Sequence, residues 1–133
     1  MEFIRGEIYK RSSIHEEYAG NRQSGIAYSG KYNMVFIFTS PAGEEYGYND
    51  RWEAGYFLYY GEGHEGDMEF SRGNEAIRTH REKGKSLYLF DKVRKGFYKY
   101  VGQMQYVGYG EEEGRDKNGK LRKVIVFRLK PID

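Results

Sequence analysis

The sequence predicts an α+β domain: a curled β-sheet or partial barrel of six or more short strands, with about two helices. Three observations predict it. The chain carries 14 Tyr, 8 Phe and one Trp with 18 Gly and only 2 Pro, and aromatic side chains suit a pleated, half-buried surface better than a helix. Its apolar runs are brief, as at 34–39 and 56–60, which is strand length and not helix length. Helix-start signals occur at only two places. A length of 133 residues suits one domain, residues 1–133, with one ordinary core.

The elements follow in order. Residues 5–10, Arg-Gly-Glu-Ile-Tyr-Lys, read as a first short strand. Ser13-Ile14-His15-Glu16 has the spacing of a capping box and predicts a short helix over 13–18. Gly20-Asn21-Arg22-Gln23-Ser24-Gly25 reads as a polar loop. Met34 to Thr39 is the most apolar run, and its β-branched and aromatic content predicts a buried central strand. Residues 41–55, with Pro41, Gly43, Gly47 and Gly55, predict a turn or hairpin leading into a second aromatic strand, Tyr56 to Tyr60. Asn74 is a good N-cap for a helix over 75–83, with Gly84 as its stop. Only Ala76 and Ile77 are apolar there, so that helix shows a charged face. Residues 86–90, 96–109 and 124–129 supply the remaining strands, the last two joined by a tight turn at Asn118-Gly119. No internal repeat or linker is visible.

Composition excludes several classes. With 22 basic and 20 acidic residues the formal charge is +2, too balanced to establish nucleic-acid binding. DNA contact requires basic residues gathered on one face. The absence of cysteine removes disulfides and thiolate metal sites, and fits a cytoplasmic setting. No apolar run approaches membrane-spanning length, and Met1-Glu2-Phe3-Ile4-Arg5 is not expected to begin a signal peptide. His15, His64 and His80 are widely spaced, outside any HExxH pattern, and no GxSxG elbow is present. Neither catalysis nor a cofactor or metal is therefore expected.

Gly61-Glu62-Gly63-His64-Glu65-Gly66 matches GxGxxG after a strand and before a helix, the order of a dinucleotide-binding unit. Glu62, Glu65 and Asp67 would face a pyrophosphate with negative charge, however. The helix cap also lies too far from Gly66 to aim its N-terminus at the loop. A nucleotide-cofactor enzyme is thus the least favoured of three hypotheses.

The constellation with most content runs Tyr46-Gly47-Tyr48-Asn49-Asp50-Arg51-Trp52, then Tyr56-Phe57-Leu58-Tyr59-Tyr60-Gly61-Glu62-Gly63, then Gly66-Asp67-Met68 and Gly73-Asn74. With the Ile14-His15 segment and the Gly20–Gly25 loop, this order resembles the SRA (YDG) family of methylated-DNA readers over nearly the whole chain. Within that family it is most similar to the SRA-like N-terminal domain of modification-dependent HNH restriction endonucleases. The resemblance implies a PUA-like barrel and a prokaryotic, cytoplasmic setting. It further implies a pocket that accepts a flipped 5-methylcytosine between two aromatic rings, with an Asp accepting from the exocyclic amine. By motif position Asp50 is the acceptor, Tyr59 one ring, and Tyr48 or Tyr46 the other. Tyr60 stands where many relatives have a small hydroxyl residue, and Trp52 completes the candidate wall. Asp67 and Asn74 read as mainly structural, holding the Gly-rich turn and capping the helix.

Extruding a base costs a few kcal/mol, which stacking on aromatic rings can offset. A buried methyl contributes only about 0.8 kcal/mol, so discrimination requires a close-fitting pocket. Phosphate contacts require cations around its mouth, and Arg22, Lys31, Arg51, Arg72, Arg78, Arg81 and Lys83 are the candidates. Some eukaryotic relatives follow their Gly-Asn with a basic finger. Here Glu75 and Ala76 follow Asn74, which argues against strict CpG or hemimethylation preference. The leading expectation is a reader of double-stranded DNA containing 5-methylcytosine or 5-hydroxymethylcytosine. It is not itself an enzyme, and cleavage would belong to an HNH nuclease domain or partner chain. An N6-methyladenine reader of the same fold and a PUA-like RNA-binding module remain as alternatives.

Overall fold

The computed structural model describes residues 3–40 and 49–132. Its elements are β1 (Ile8–Lys10), α1 (Arg11–Tyr18), β2 (Ile26–Tyr28), β3 (Met34–Thr39), β4 (Arg51–Glu53), β5 (Tyr56–Tyr60), α2 (Arg72–Arg78), β6 (Ser86–Arg94), β7 (Phe97–Arg115) and β8 (Leu121–Ile132). The strands form one eight-stranded sheet in the order β2-β3-β6-β7-β8-β5-β4, with β1 paired to β7. Among the described residues only β3 and β6 run parallel; every other ladder is antiparallel. This is the open, curled sheet with two helices that the sequence predicts.

The curl originates in β7, which pairs with β6 and β1 in its first half and with β8 over its whole second half. Register shifts fall at Lys92/Arg94, opposite Gly102 at Leu89/Phe90, and between Tyr106 and Gly108. Both glycines have strongly positive φ, 153° and 154°, which side-chain-bearing residues rarely adopt. Each shift is a β-bulge that bends the strand. The sheet folds round far enough for β5 to meet β3, four places away in the strand order, and the Tyr59 hydroxyl donates to the Phe38 carbonyl at 3.2 Å.

Two cores result. Val35 and Ile37 of β3 join Phe57, Tyr59, Leu87, Leu89, Phe127 and Leu129, whereas Met34, Phe36 and Phe38 join Ile14, Phe90 and Tyr100 under α1. All six β3 residues are buried. A strand covered on both faces reads as a continuous apolar run, which is why β3 was legible.

Several boundaries differ from the sequence reading, each for a local reason. The first strand begins at Ile8, because residues 5 and 6 turn and Gly6 has φ 87°. Helix α1 starts at Arg11 behind Lys10, with no side-chain cap, so the Ser13 capping box does not form. Strand β2 was not predicted; Ile26 and Ala27 are buried by pairing with β3. Helix α2 begins at Arg72 behind Ser71 and ends at Arg78, so Asn74 lies inside it and residues 79–84 form turns. Strands β6, β7 and β8 run longer than expected at both or one end. Of the 41–55 stretch, 41–48 lies outside the described residues. Its remainder closes the β4–β5 hairpin through Ala54 (φ 52°) and Gly55 (φ 85°), the two positive-φ positions of a type I′ turn. Finally, β5 and β6 are not neighbours, so β5–α2–β6 is not a dinucleotide-binding unit.

Candidate functional site

The residues Asp50 to Phe57 meet the end of β3 where the curled sheet comes together. Asp50 stands just ahead of β4. Its Oδ1 accepts from the Tyr60 backbone N–H at 2.8 Å, and its Oδ2 accepts from the Thr39 hydroxyl at 2.7 Å. One carboxylate thus bridges β5 and β3, which share no ladder. Burial pushes the Asp50 carboxyl up to about 6, although both hydrogen bonds oppose the shift. Among the described residues each oxygen accepts one hydrogen bond, and a carboxylate oxygen can accept a second.

Asp50 lines a cleft of about 280 Å³ together with Thr39, Arg51, Trp52, Phe57 and Lys92. Trp52 and Phe57 are register partners across the β4–β5 hairpin, which sets them on one face, with ring centroids 5.2 Å apart and planes at 65°. Trp52 is 50% exposed whereas Phe57 is buried. The cleft therefore offers an accessible indole face beside a desolvated carboxylate, the combination that holds a flat ligand bearing a hydrogen-bond donor.

The other aromatic candidates are placed differently. Tyr59 is 5% exposed and packed in the core. Its hydroxyl lies so close beneath Gly25 that a Cβ added there would come within 2.6 Å, and it lines none of the described clefts. Tyr59 shares a face with Phe57 but sits two residues further along β5, where its hydroxyl bonds the Phe38 carbonyl inside the core. Tyr60 donates from its hydroxyl to Glu112 at 2.5 Å and accepts from Arg51 Nη1 at 3.1 Å. Burial and then Glu112 raise the phenol above its ordinary value. It is the backbone N–H of Tyr60, and not its ring, that serves Asp50. Tyr46 and Tyr48 lie outside the described residues.

The basic candidates divide among several places. Arg51 is at the cleft, held by Glu53 at 3.2 Å and by the Asn49 carbonyl at 3.0 Å. Arg22 is exposed and donates to the Ser12 carbonyl, and Lys31 lies over the Tyr32 ring. Arg72 lines a wide groove of about 810 Å³ beside Glu62, Glu65, Asp67 and Glu69. Arg78 pairs with Glu75 at 2.8 Å and covers the Phe70 ring. With Arg81 it borders a separate hollow beside Tyr106 and Val107. Lys83 is exposed in the turns after α2.

The Gly-rich turn is structural. Asn74 Oδ1 accepts from the Glu62 N–H at 2.8 Å, and its Nδ2 donates to the carbonyls of Glu62 and Glu69 at 3.0 and 2.9 Å. Asn74 is therefore a clamp within α2 and not the helix cap expected. Asp67 accepts from the Lys123 N–H at 2.7 Å, and Asp116 accepts from the N–H groups of Gly66, Asn118 and Lys120. Burial lowers His15 and His80 below the ordinary imidazole value. The His15 Nε2 accepts from Arg11 and that of His80 from the Tyr106 N–H. Neither ring has a nitrogen to offer a metal, and among the described residues no group of three His, Cys, Asp or Glu side chains could hold one.

Sequence reasoning missed Thr39, Phe57 and Lys92. Thr39 carried a weak signal, being the one polar residue of an otherwise apolar strand. Lys92 carried none, because β6 was expected to end at Phe90.

The profile of the family described as ScoMcrA-like, SRA domain, matches residues 5–133. No curated protein sequence matches the chain. Among solved structures, the sulfur-binding and SRA domains of ScoMcrA complexed with phosphorothioated DNA superpose with a TM-score of 0.77 at 22% identity, covering 99% of this chain and 40% of that one. The type IV phosphorothioation-dependent restriction endonuclease ScoMcrA gives a TM-score of 0.76, also at 22% identity, over 99% of this chain and 28% of its own. At that identity the likeness establishes the fold, and the chain spans well under half of either ScoMcrA chain. The SUVH5 SRA bound to fully hydroxymethylated CG DNA matches with a TM-score of 0.65 and 26% identity, over 99% of this chain and 87% of that one.

Proposed function

This chain belongs to the ScoMcrA-like SRA domain family, and from that premise we propose that it binds duplex DNA carrying a modified base and takes that base, extruded from the helix, into the Asp50 cleft. The observation that carries the reading is the Asp50 carboxylate, desolvated and with acceptor capacity left, beside the exposed Trp52 ring. In its ionised form the carboxylate accepts from an exocyclic amine, and the indole supplies a stacking face that offsets the cost of unstacking. Trp52 takes the stacking role, and the second ring expected from the motif, Tyr46 or Tyr48, lies outside the described residues. Tyr59 holds β5 against β3 from inside. Arg51 and Lys92 stand at the mouth, where a flipped nucleotide's phosphates remain.

The favoured base is 5-methylcytosine or 5-hydroxymethylcytosine. It carries the amine the carboxylate needs, and a solved relative's complex contains hydroxymethylated CG DNA. The domain acts as the specificity element of a modification-dependent restriction system, with cleavage supplied by a nuclease domain of the same full-length protein or a partner. Its small share of each ScoMcrA chain is consistent with that division of labour.

The test is a binding series on matched duplexes containing cytosine, 5-methylcytosine, 5-hydroxymethylcytosine or N6-methyladenine, with single-stranded RNA as a further competitor. The wild type is expected to prefer the modified cytosines. Asp50→Ala is expected to bind all duplexes weakly and alike, with the salt sensitivity of backbone contact retained. Equal wild-type affinity for every duplex, or preference for RNA, contradicts the proposal.

A further inference from the structure

We infer that the DNA backbone is held by the β6–β7 hairpin and the neighbouring β1, a surface that the motif residues do not include. The inference rests on the reading of the Asp50 cleft above and extends it. Residues 92–99 contain Lys92, Arg94, Lys95 and Lys99 with no acidic residue, and Lys10 of β1 joins them through its register partner Phe97. All five cations are exposed, and none is ion-paired to a described residue.

Register sorts these side chains. Phe97 is the partner of both Lys10 and Arg94, and Lys99 of both Ile8 and Asp91. Lys10, Arg94 and Lys99 therefore share one face with Asp91, since register partners lie on the same side, and the register shift between Lys92 and Arg94 breaks the alternation there. Lys92 is paired with Tyr98 on the opposite face and lines the Asp50 cleft. Lys95 sits at the tip of the turn, where Gly96 has φ 82°. Positive charge thus runs from the cleft, where Asp91 lies beside Lys92, round the hairpin tip to β1.

The competing surfaces are poorer. The wide groove beside Arg72 carries Glu62, Glu65, Asp67 and Glu69, which repel phosphate. On α2, Arg78 is paired with Glu75, and its hollow shares no residue with the Asp50 cleft. A polyanion whose base enters that cleft meets the hairpin first. Five exposed cations against the single neighbouring carboxylate of Asp91, the register partner of Lys99, leave this patch positive, and nucleic-acid backbone is the partner it fits by charge.

The experiment compares the wild type, a triple variant Lys10→Gln, Lys95→Gln, Lys99→Gln, and a control double variant Arg81→Gln, Lys83→Gln. Each is titrated with unmodified and 5-methylcytosine duplexes between 50 and 200 mM salt, roughly the range over which phosphate neutralisation is resolved. None of the substituted residues lines the cleft, and thermal melting verifies that each variant folds. The triple variant is expected to lower the slope of log affinity against log salt by about 0.9 for each phosphate no longer neutralised. Both duplexes should weaken by the same factor, leaving the preference ratio intact, while the control matches the wild type. An unchanged slope in the triple variant, or an equal loss in the control, overturns the inference. If the wild type shows no modification preference while the triple variant still loses slope, the hairpin surface stands and the base-reading proposal falls.

Discussion

The Asp50 cleft and the Gly61–Asn74 turn are built from the same vocabulary of acids, amides, glycines and aromatic residues, yet they do different work. In the turn, Asn74 is 2% exposed and both ends of its amide bond to the backbone of Glu62 and Glu69. The Glu62 carboxylate receives the Gly73 N–H, and Asp67 and Asp116 receive backbone N–H groups in turn. That region's polar atoms are committed to holding the chain. In the cleft, Asp50 also accepts two internal hydrogen bonds, but its carboxyl is raised to about 6 because these do not compensate for burial. Burial raises the Glu62 carboxyl of the turn as well, so what sets Asp50 apart is its place in a cleft beside the exposed Trp52 ring. The contrast teaches that residue type does not tell a buried clamp from a cleft-lining group; what each polar atom faces does.

Two substitutions sharpen this contrast. One lies in the turn. Asn74→Ala removes three hydrogen bonds and takes this partner from the half-buried Glu62 N–H and carbonyl, while the Glu69 carbonyl keeps the Ser71 N–H, costing on the order of 2 kcal/mol. Chemical denaturation should show that loss, while the preference between modified and unmodified duplex, measured well below the melting temperature, stays at the wild-type value. A changed preference with unchanged stability would assign Asn74 to the site instead.

The other belongs to Asp50 and depends on pH. Its folded carboxyl titrates near 6 against an ordinary 3.8, so the folded state holds the proton more tightly than the unfolded one. This group's contribution favours folding most below pH 4, declines as pH rises toward 6, and is level above it. The amplitude is about 2–3 kcal/mol. Asp50→Asn keeps an acceptor for the Tyr60 N–H and a donor toward Thr39 while removing the charge. Its unfolding free energy should be flatter than that of the wild type between pH 4 and 6. An identical pH profile in both proteins would show that Asp50 is ordinarily solvated.

Much of this was legible in the sequence, for identifiable reasons. Strands β3 and β5 match their expected bounds because an apolar or aromatic run bounded by turn residues is a strong local signal. The Asn118-Gly119 turn follows from backbone chemistry alone, with Gly119 at φ 77°. Asp50 was placed by its motif, and the structure adds what the motif omits: its bonds to Thr39 and Tyr60 span 11 and 10 residues. What was not legible depends on tertiary contact. Nothing in the three residues of β2 marks a strand until they pair with β3. Asn74 is a good cap by type, but its hydrogen bonds to Glu62, 12 residues away, and to Glu69 outweigh that local preference. Tyr59 reads as a ring available for stacking until the curl of the sheet closes over it under Gly25. Lys92 enters the site only because β6 continues beyond its apolar stretch.

Base extrusion itself is measured most directly by the fluorescence of 2-aminopurine placed next to a 5-methylcytosine in the duplex. Wild-type protein is expected to raise that fluorescence as the neighbouring base leaves the stack. Trp52→Ala and Asp50→Ala should each abolish most of the rise at saturating protein. A wild type that prefers the modified duplex yet leaves the probe as dark as free DNA would show that the modification is read with the helix intact, and the Asp50 cleft would lose its role.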